Sequence, residues 1–313
     1  MANFTGTNAD EIITPNFVSS TVTATGGTLP SDAADVIDGG AGNDTIDGGG
    51  GNDVLTGGAG NDTIDGGRGN DVAFLGTGDD VFIWDPGEGS DVVEGQAGTD
   101  TMLFNGNGAA ETITISANGE RALFTRDVGN ITMDLNGVET IDFNALGGTD
   151  TITIEDMTRT DVKQVNVDLA GDGANDTNTV VINGTKGDDD ITLSIDDNGA
   201  LVINGLASKV VIENFDTNDT IRIAGLSGDD KIDASKLGAD GPKLILEGGN
   251  GADLLIGGGG NDTIDGGRGD DVLMGGGGID VLSGGPGDNI VTQSAAPQLA
   301  SSVAPTDNGF HIV

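Results

Sequence analysis

The sequence predicts an all-β protein: a parallel solenoid in which two blocks of short rungs flank a region of longer rungs. Three observations predict it. First, residues 39 to 74 read GGAGNDTID, GGGGNDVLT, GGAGNDTID and GGRGNDVAF, four nonapeptides end to end in one register. Second, a similar block returns at residues 248 to 292. Third, residues 104 to 247 carry short alternating runs such as ETITIS, TITIE, TVVIN and DITLSI, spaced by Gly, Asn and Asp, with no amphipathic helix.

Within one nonapeptide, glycines at positions 1, 2 and 4 open backbone angles closed to other residues and make a turn. Positions 7 to 9 alternate with the apolar residue in the middle, as a short strand with one side chain inward. Alone such a strand has no stability; stacked on copies roughly 4.8 Å apart, its inward residues form a column. Position 8 is Ile46, Leu55, Ile64 and Ala73. Position 6 is always Asp, so stacking lines up carboxylates that repel one another unless a cation intervenes. Calcium suits carboxylates combined with free glycine-turn carbonyls.

In chain order, residues 1 to 38 read as an N-terminal cap with degenerate repeats. GTNADEII places Glu11 in the Asp slot, residues 14 to 29 form an irregular segment, and PSDAADVID brings Asp35 into the slot with Ile37 inward. The first block, 39 to 103, has slot residues Asp44, Asp53, Asp62, Asp71, Asp80, Asp91 and Asp100; WDPGEGSDVVE carries two extra residues. Trp84, the single Trp, reads as a side chain covering the roll. The centre, 104 to 247, reads as a longer-rung solenoid continuous with the roll; the rival reading is a separate β-sandwich. Three of its turns keep the repeat's outline with Asp150, Asp189 and Asp230, spaced by 39 and 41 residues, as two coils of about 20 residues would space them. The second block, 248 to 292, has slots Asp253, Asp262, Asp271 and Asp280, with Pro286 and Asn289 terminating it. Residues 293 to 313 form an Ala/Ser/Pro-rich tail ending in Phe310, His311, Ile312 and Val313.

The chain's balance narrows its function. With 52 acidic against 12 basic residues the formal charge is −40, which argues against nucleic acid and anionic membranes and fits a chain that needs cations to fold. There is no cysteine, so bound metal is the available staple. The N-terminus lacks the basic and apolar regions of a cleavable signal, and no stretch is apolar enough for a membrane helix. The sequence has no H-E-x-x-H and no G-x-S-x-G motif, and its one His lies in the tail, so catalysis built on His is not expected. A carboxylate-pair enzyme acting on polysaccharide is the alternative, against which stands the scarcity of aromatic platforms.

The pattern G-G-x-G-x-D-x-U-x in both blocks resembles the RTX (repeats-in-toxin) calcium-binding β-roll family. The resemblance implies a right-handed parallel roll with two nonapeptides per turn and several calcium ions held between repeats n and n+2. It pairs Asp44 with Asp62, Asp53 with Asp71, Asp62 with Asp80, Asp253 with Asp271 and Asp262 with Asp280, with turn carbonyls completing each shell. It also implies bacterial type I secretion, for which the tail would be the uncleaved signal. Members of the family include enzymes, toxins and surface or matrix proteins; the missing catalytic motifs and the lack of an apolar helical segment favour a non-enzymatic structural role at a cell surface, in a matrix or in a filament. Exposed end rungs would let copies stack head to tail, with the tail as an assembly strand.

Overall fold

The computed structural model describes residues 1–171 and 176–293. The tail readings, His311 and residues 310–313 included, lie outside the described residues. Among those described the chain forms two fifteen-stranded sheets and no helix. Successive nonapeptides alternate between the sheets: Val36–Ala41, Val54–Ala59 and Val72–Thr77 lie side by side in one, and Thr45–Asp47, Thr63–Asp65 and Val81–Trp84 in the other. All these neighbours pair in parallel and in register, Ile46 beside Ile64 and Leu55 beside Ala73. The core is the narrow space between the sheets, where Ile46, Leu55, Ile64 and Ala73 are all buried. This is a parallel β-roll that continues as a β-solenoid.

The same two sheets run through the centre, so the sandwich reading is overturned. The centre is not a plain stack of longer rungs, however. In the first sheet, Thr112–Asn118 pairs antiparallel with Arg121–Arg126, which pairs antiparallel with Ile131–Asn136. Only Ile131–Asn136 joins the preceding rung, Val92–Ala97. The chain overshoots by two strand positions and doubles back. The second sheet repeats the manoeuvre with Asp190–Ile195, Leu201–Asn204 and Lys209–Glu213, the last joining Gln164–Asp168. The physical cause is local: Asn118-Gly119 and Asn198-Gly199 each sit between alternating apolar runs, and both glycines adopt positive φ, +74° and +91°, as tight hairpins require.

The reversals also correct the coil count. Asp189 and Asp230 stand on adjacent rungs, joined by the Asp189 N–H donating to Asp230 Oδ1 at 2.8 Å, so their 41 residues are one step. Asp150 precedes a strand of the other sheet, Thr151–Ile154. Trp84 does not cover the roll from outside. It is fully buried between the sheets, stacked on Phe104 with ring centroids 4.0 Å apart.

The ends differ. At the N-terminal end, Phe17–Val18 and Thr23–Thr25 add antiparallel to Ile12–Thr14 and Asn3–Thr7 and close both sheets. At the other end Val281–Ser283 and Ile290–Thr292 are the last described rungs, with Ile279 82% and Val281 66% exposed.

Candidate metal centre

Each slot acid sits just before a strand, where the glycine turn meets the sheet, and the stacking arranges these acids in ladders. The first runs Glu11, Asp44, Asp62, Asp80, Asp100 and Glu139, each backbone N–H donating to the next carboxylate. The second runs Asp35, Asp53, Asp71 and Asp91 on the opposite wall. A third, Glu111, Asp150, Asn178 and Asp219, belongs wholly to the centre. The fourth, Asp189, Asp230, Asp253, Asp271 and Asn289, runs from the centre into the second block. Asp262 and Asp280 form a short fifth.

One rung shows the chemistry. Asp53 Oδ1 accepts the Asp35 N–H at 2.6 Å, while the Asp53 N–H donates to Asp71 Oδ1 at 2.7 Å. Asp53 Oδ2 is buried without a partner. It faces the turn at Gly48, where a Cβ would lie 2.6 Å from Asp53 Oδ2 and 2.6 Å from the Gly66 carbonyl oxygen. A carboxylate oxygen and a main-chain carbonyl therefore converge over a bare α-carbon. Gly at position 1 is required because any side chain would fill that cradle.

The arrangement recurs. Among the described residues thirteen buried carboxylate oxygens lack a hydrogen-bond partner, ten of them at Asp44, Asp53, Asp62, Asp71, Asp80, Asp91, Asp100, Asp253, Asp271 and Asp280. Asp35 and Asp262 sit in the slots but differ, their Oδ2 atoms accepting the N–H groups of Ser31 at 3.0 Å and Gly258 at 2.8 Å. Burial raises seven of the slot acids, with neighbouring carboxylates adding and the accepted N–H opposing: Asp53, Asp71, Asp91 and Asp100 to about 7, Asp62, Asp253 and Asp262 to about 6. Orphaned buried oxygens paired with converging carbonyls fit a hard, oxygen-seeking divalent cation. Calcium fits the residues present.

Sequence reasoning assigned no slot role to Glu111, Glu139, Asn178 and Asp219. A signal was available: each precedes Thr and then an apolar residue, as in Glu111-Thr112-Ile113 and Asp219-Thr220-Ile221, matching Asp44-Thr45-Ile46. Outside the ladders, Asp65, Asp85 and Glu88 bring one carboxylate oxygen each within 4.8 Å of one another beside the WDPGEG turn. Among the described residues no helix is long and apolar enough to cross a membrane.

Residues 31–64, 47–82, 87–107, 245–273 and 265–292 match the RTX calcium-binding nonapeptide repeat family, whose unit is four copies long. No curated protein matches the chain.

Proposed function

We propose that this chain, whose two blocks match the RTX calcium-binding nonapeptide repeat, is a secreted structural component of a cell surface, matrix or filament, whose solenoid folds on binding calcium. The observation that carries this reading is the set of thirteen buried, partnerless carboxylate oxygens, each a cost to the metal-free fold that a bound cation removes. The ions would lie beside Asp44, Asp53, Asp62, Asp71, Asp80, Asp91 and Asp100 in the first block and beside Asp253, Asp262, Asp271 and Asp280 in the second, with Asp35 at the entry rung. Carbonyls such as that of Gly66 would complete the shells. Asp62 would bridge two ions, one shared with Asp44 and one with Asp80.

Assembly is part of the proposal. The exposed apolar residues Ile279, Val281 and Ile290 of the last described rungs would meet the outer N-terminal strands, Phe17–Val18 and Thr23–Thr25, of the next copy, head to tail. Electron microscopy with and without calcium, together with light scattering across concentration, tests it. Particles that remain single in calcium at every concentration overturn the filament reading.

A second reading, a module that binds or cleaves polysaccharide, has one observation in its favour. A groove of about 400 Å³ crosses the outer face of the second sheet, lined by Asp142, Asn144, Asn166, Asp168, Lys209 and Glu213. Carboxylates and amides on a flat sheet suit hydroxyl-rich chains. Retention on acidic and neutral polysaccharide columns, abolished by Asp168→Ala, would favour it; no retention removes it.

A further inference from the structure

The third ladder begins where no repeat precedes it. Beside Glu111 the sheet continues with Arg121–Arg126, a strand running the other way, so no glycine turn and no slot carboxylate arrive from that side. What arrives is Arg126. Its Nε donates to Glu111 Oε1 at 2.9 Å, a second guanidinium nitrogen donates to the same oxygen, and both side chains are buried. The guanidinium carbon lies 5.3 Å from the centroid of Trp84, which itself stacks on Phe104. A positive charge is thus fixed between a slot carboxylate and an aromatic face.

From this geometry we propose that Arg126 is a built-in cation. It supplies Glu111 Oε1 with the donor that the preceding rung's N–H supplies at the other slots and neutralises that carboxylate, and it lets the centre fold without calcium as the nucleus on which both repeat blocks build. A guanidinium presents charge and donors to a carboxylate as an ion does, but it is covalently held, so chelation cannot remove it. The rest of the centre follows the same rule. The third ladder passes through the uncharged Asn178. The fourth starts at Asp189, whose two oxygens accept the Thr185 N–H at 2.7 Å and hydroxyl at 3.0 Å. Ten of the chain's twelve basic residues lie between 104 and 247, against one in each block, Arg68 and Arg268. Phe104, Phe124 and Phe143 pack together in this region, and with Trp84 they widen the apolar core beyond the Ile and Leu columns of the repeats. Glu111 Oε2, which faces the turn at Gly106 beside the Ala145 carbonyl, and Asp150 and Asp230 keep free oxygens, so calcium adds to the centre's stability without being needed to form it.

The inference rests on the calcium reading of the blocks, and one experiment separates the two: peptide-resolved hydrogen exchange of the full chain in EDTA and in millimolar calcium. In EDTA, peptides from 112 to 168 should exchange at least about ten-fold more slowly than those from 36 to 77 and 254 to 292. In calcium all should be slow. Arg126→Gln should lose central protection in EDTA and regain it in calcium; Arg126→Lys should retain part of it in EDTA. Central peptides as fast as the blocks in EDTA overturn the proposal. So does an Arg126→Gln variant that is unchanged, or one that calcium does not restore. Blocks that stay protected in EDTA overturn the calcium reading instead.

Discussion

The backbone N–H of Asp44 donates to the carboxylate of Asp62 at 2.8 Å, one turn further along the solenoid. That bond uses one oxygen of Asp62 and leaves the other free, so each acid both clamps its neighbour and keeps a ligand in reserve. The turn-to-turn clamp and the cation cradle share one side chain, and damage to either is felt by both.

Asp62→Ala is therefore expected to lower calcium affinity and melting temperature together. It leaves the buried Asp44 N–H without its acceptor, about 1–3 kcal/mol, besides removing a ligand. Asn289→Ala, at the last described rung, should cost less because its surroundings are open to water. Calorimetric calcium titration and thermal melts check this; equal losses would contradict the pairing of repeats n and n+2.

Gly48→Ala puts a methyl 2.6 Å from both Asp53 Oδ2 and the Gly66 carbonyl oxygen. The expected cost is about 1–3 kcal/mol with weakened calcium binding. Gly238→Ala, which meets nothing within 4 Å, should be close to neutral. Parallel melts of the two variants in calcium decide the point.

The block acids predict a reversal of pH dependence with metal. In EDTA, Asp53 and Asp71 have folded values near 7, raised from 3.8 by burial, so the folded state holds protons more tightly than the unfolded one. Their contribution is fully present below about pH 4 and is lost as pH rises through about 7. The metal-free blocks should therefore melt at lower temperature at about pH 8 than at about pH 5. Calcium needs the ionised carboxylates, so calcium affinity should rise over the same interval. Circular dichroism melts with and without the chelator test the sign.

The buried pair should behave as a unit. Arg126→Met alone strands Glu111 and is expected to cost about 3–5 kcal/mol, as is Glu111→Gln in the opposite sense. The double variant should cost clearly less than the two losses added. Denaturant titrations in calcium measure the cycle; strict additivity would mean that the two side chains do not interact.

Much of this was legible in the sequence because a strict period leaves little freedom. Once Asp44, Asp53, Asp62 and Asp71 recur every nine residues with an apolar residue two places on, stacking and the inward columns follow. The reversals were missed although their signal was present. Asn118-Gly119 and Asn198-Gly199 lie between alternating runs, but such runs read the same whether they form parallel rungs or hairpin arms. Arg126 was illegible for another reason. Ala122, Phe124 and Arg126 alternate inward along one strand, and nothing local says that the third is matched by a carboxylate fifteen residues earlier. Chain reversal, not periodicity, brings them together.

Successive nonapeptides face opposite walls, and this limits how such a gene can grow or shrink. Inserting one copy would exchange the walls for every later repeat, sending Asp253 and Asp271 to the side now held by Asp262 and Asp280 and breaking the join to Asp230. Inserting two copies, the 18 residues that separate Asp44 from Asp62, lengthens the coil and leaves everything downstream in place. Copy number in lineages of this chain should therefore drift by even steps, with odd changes surviving only where a compensating one lies nearby.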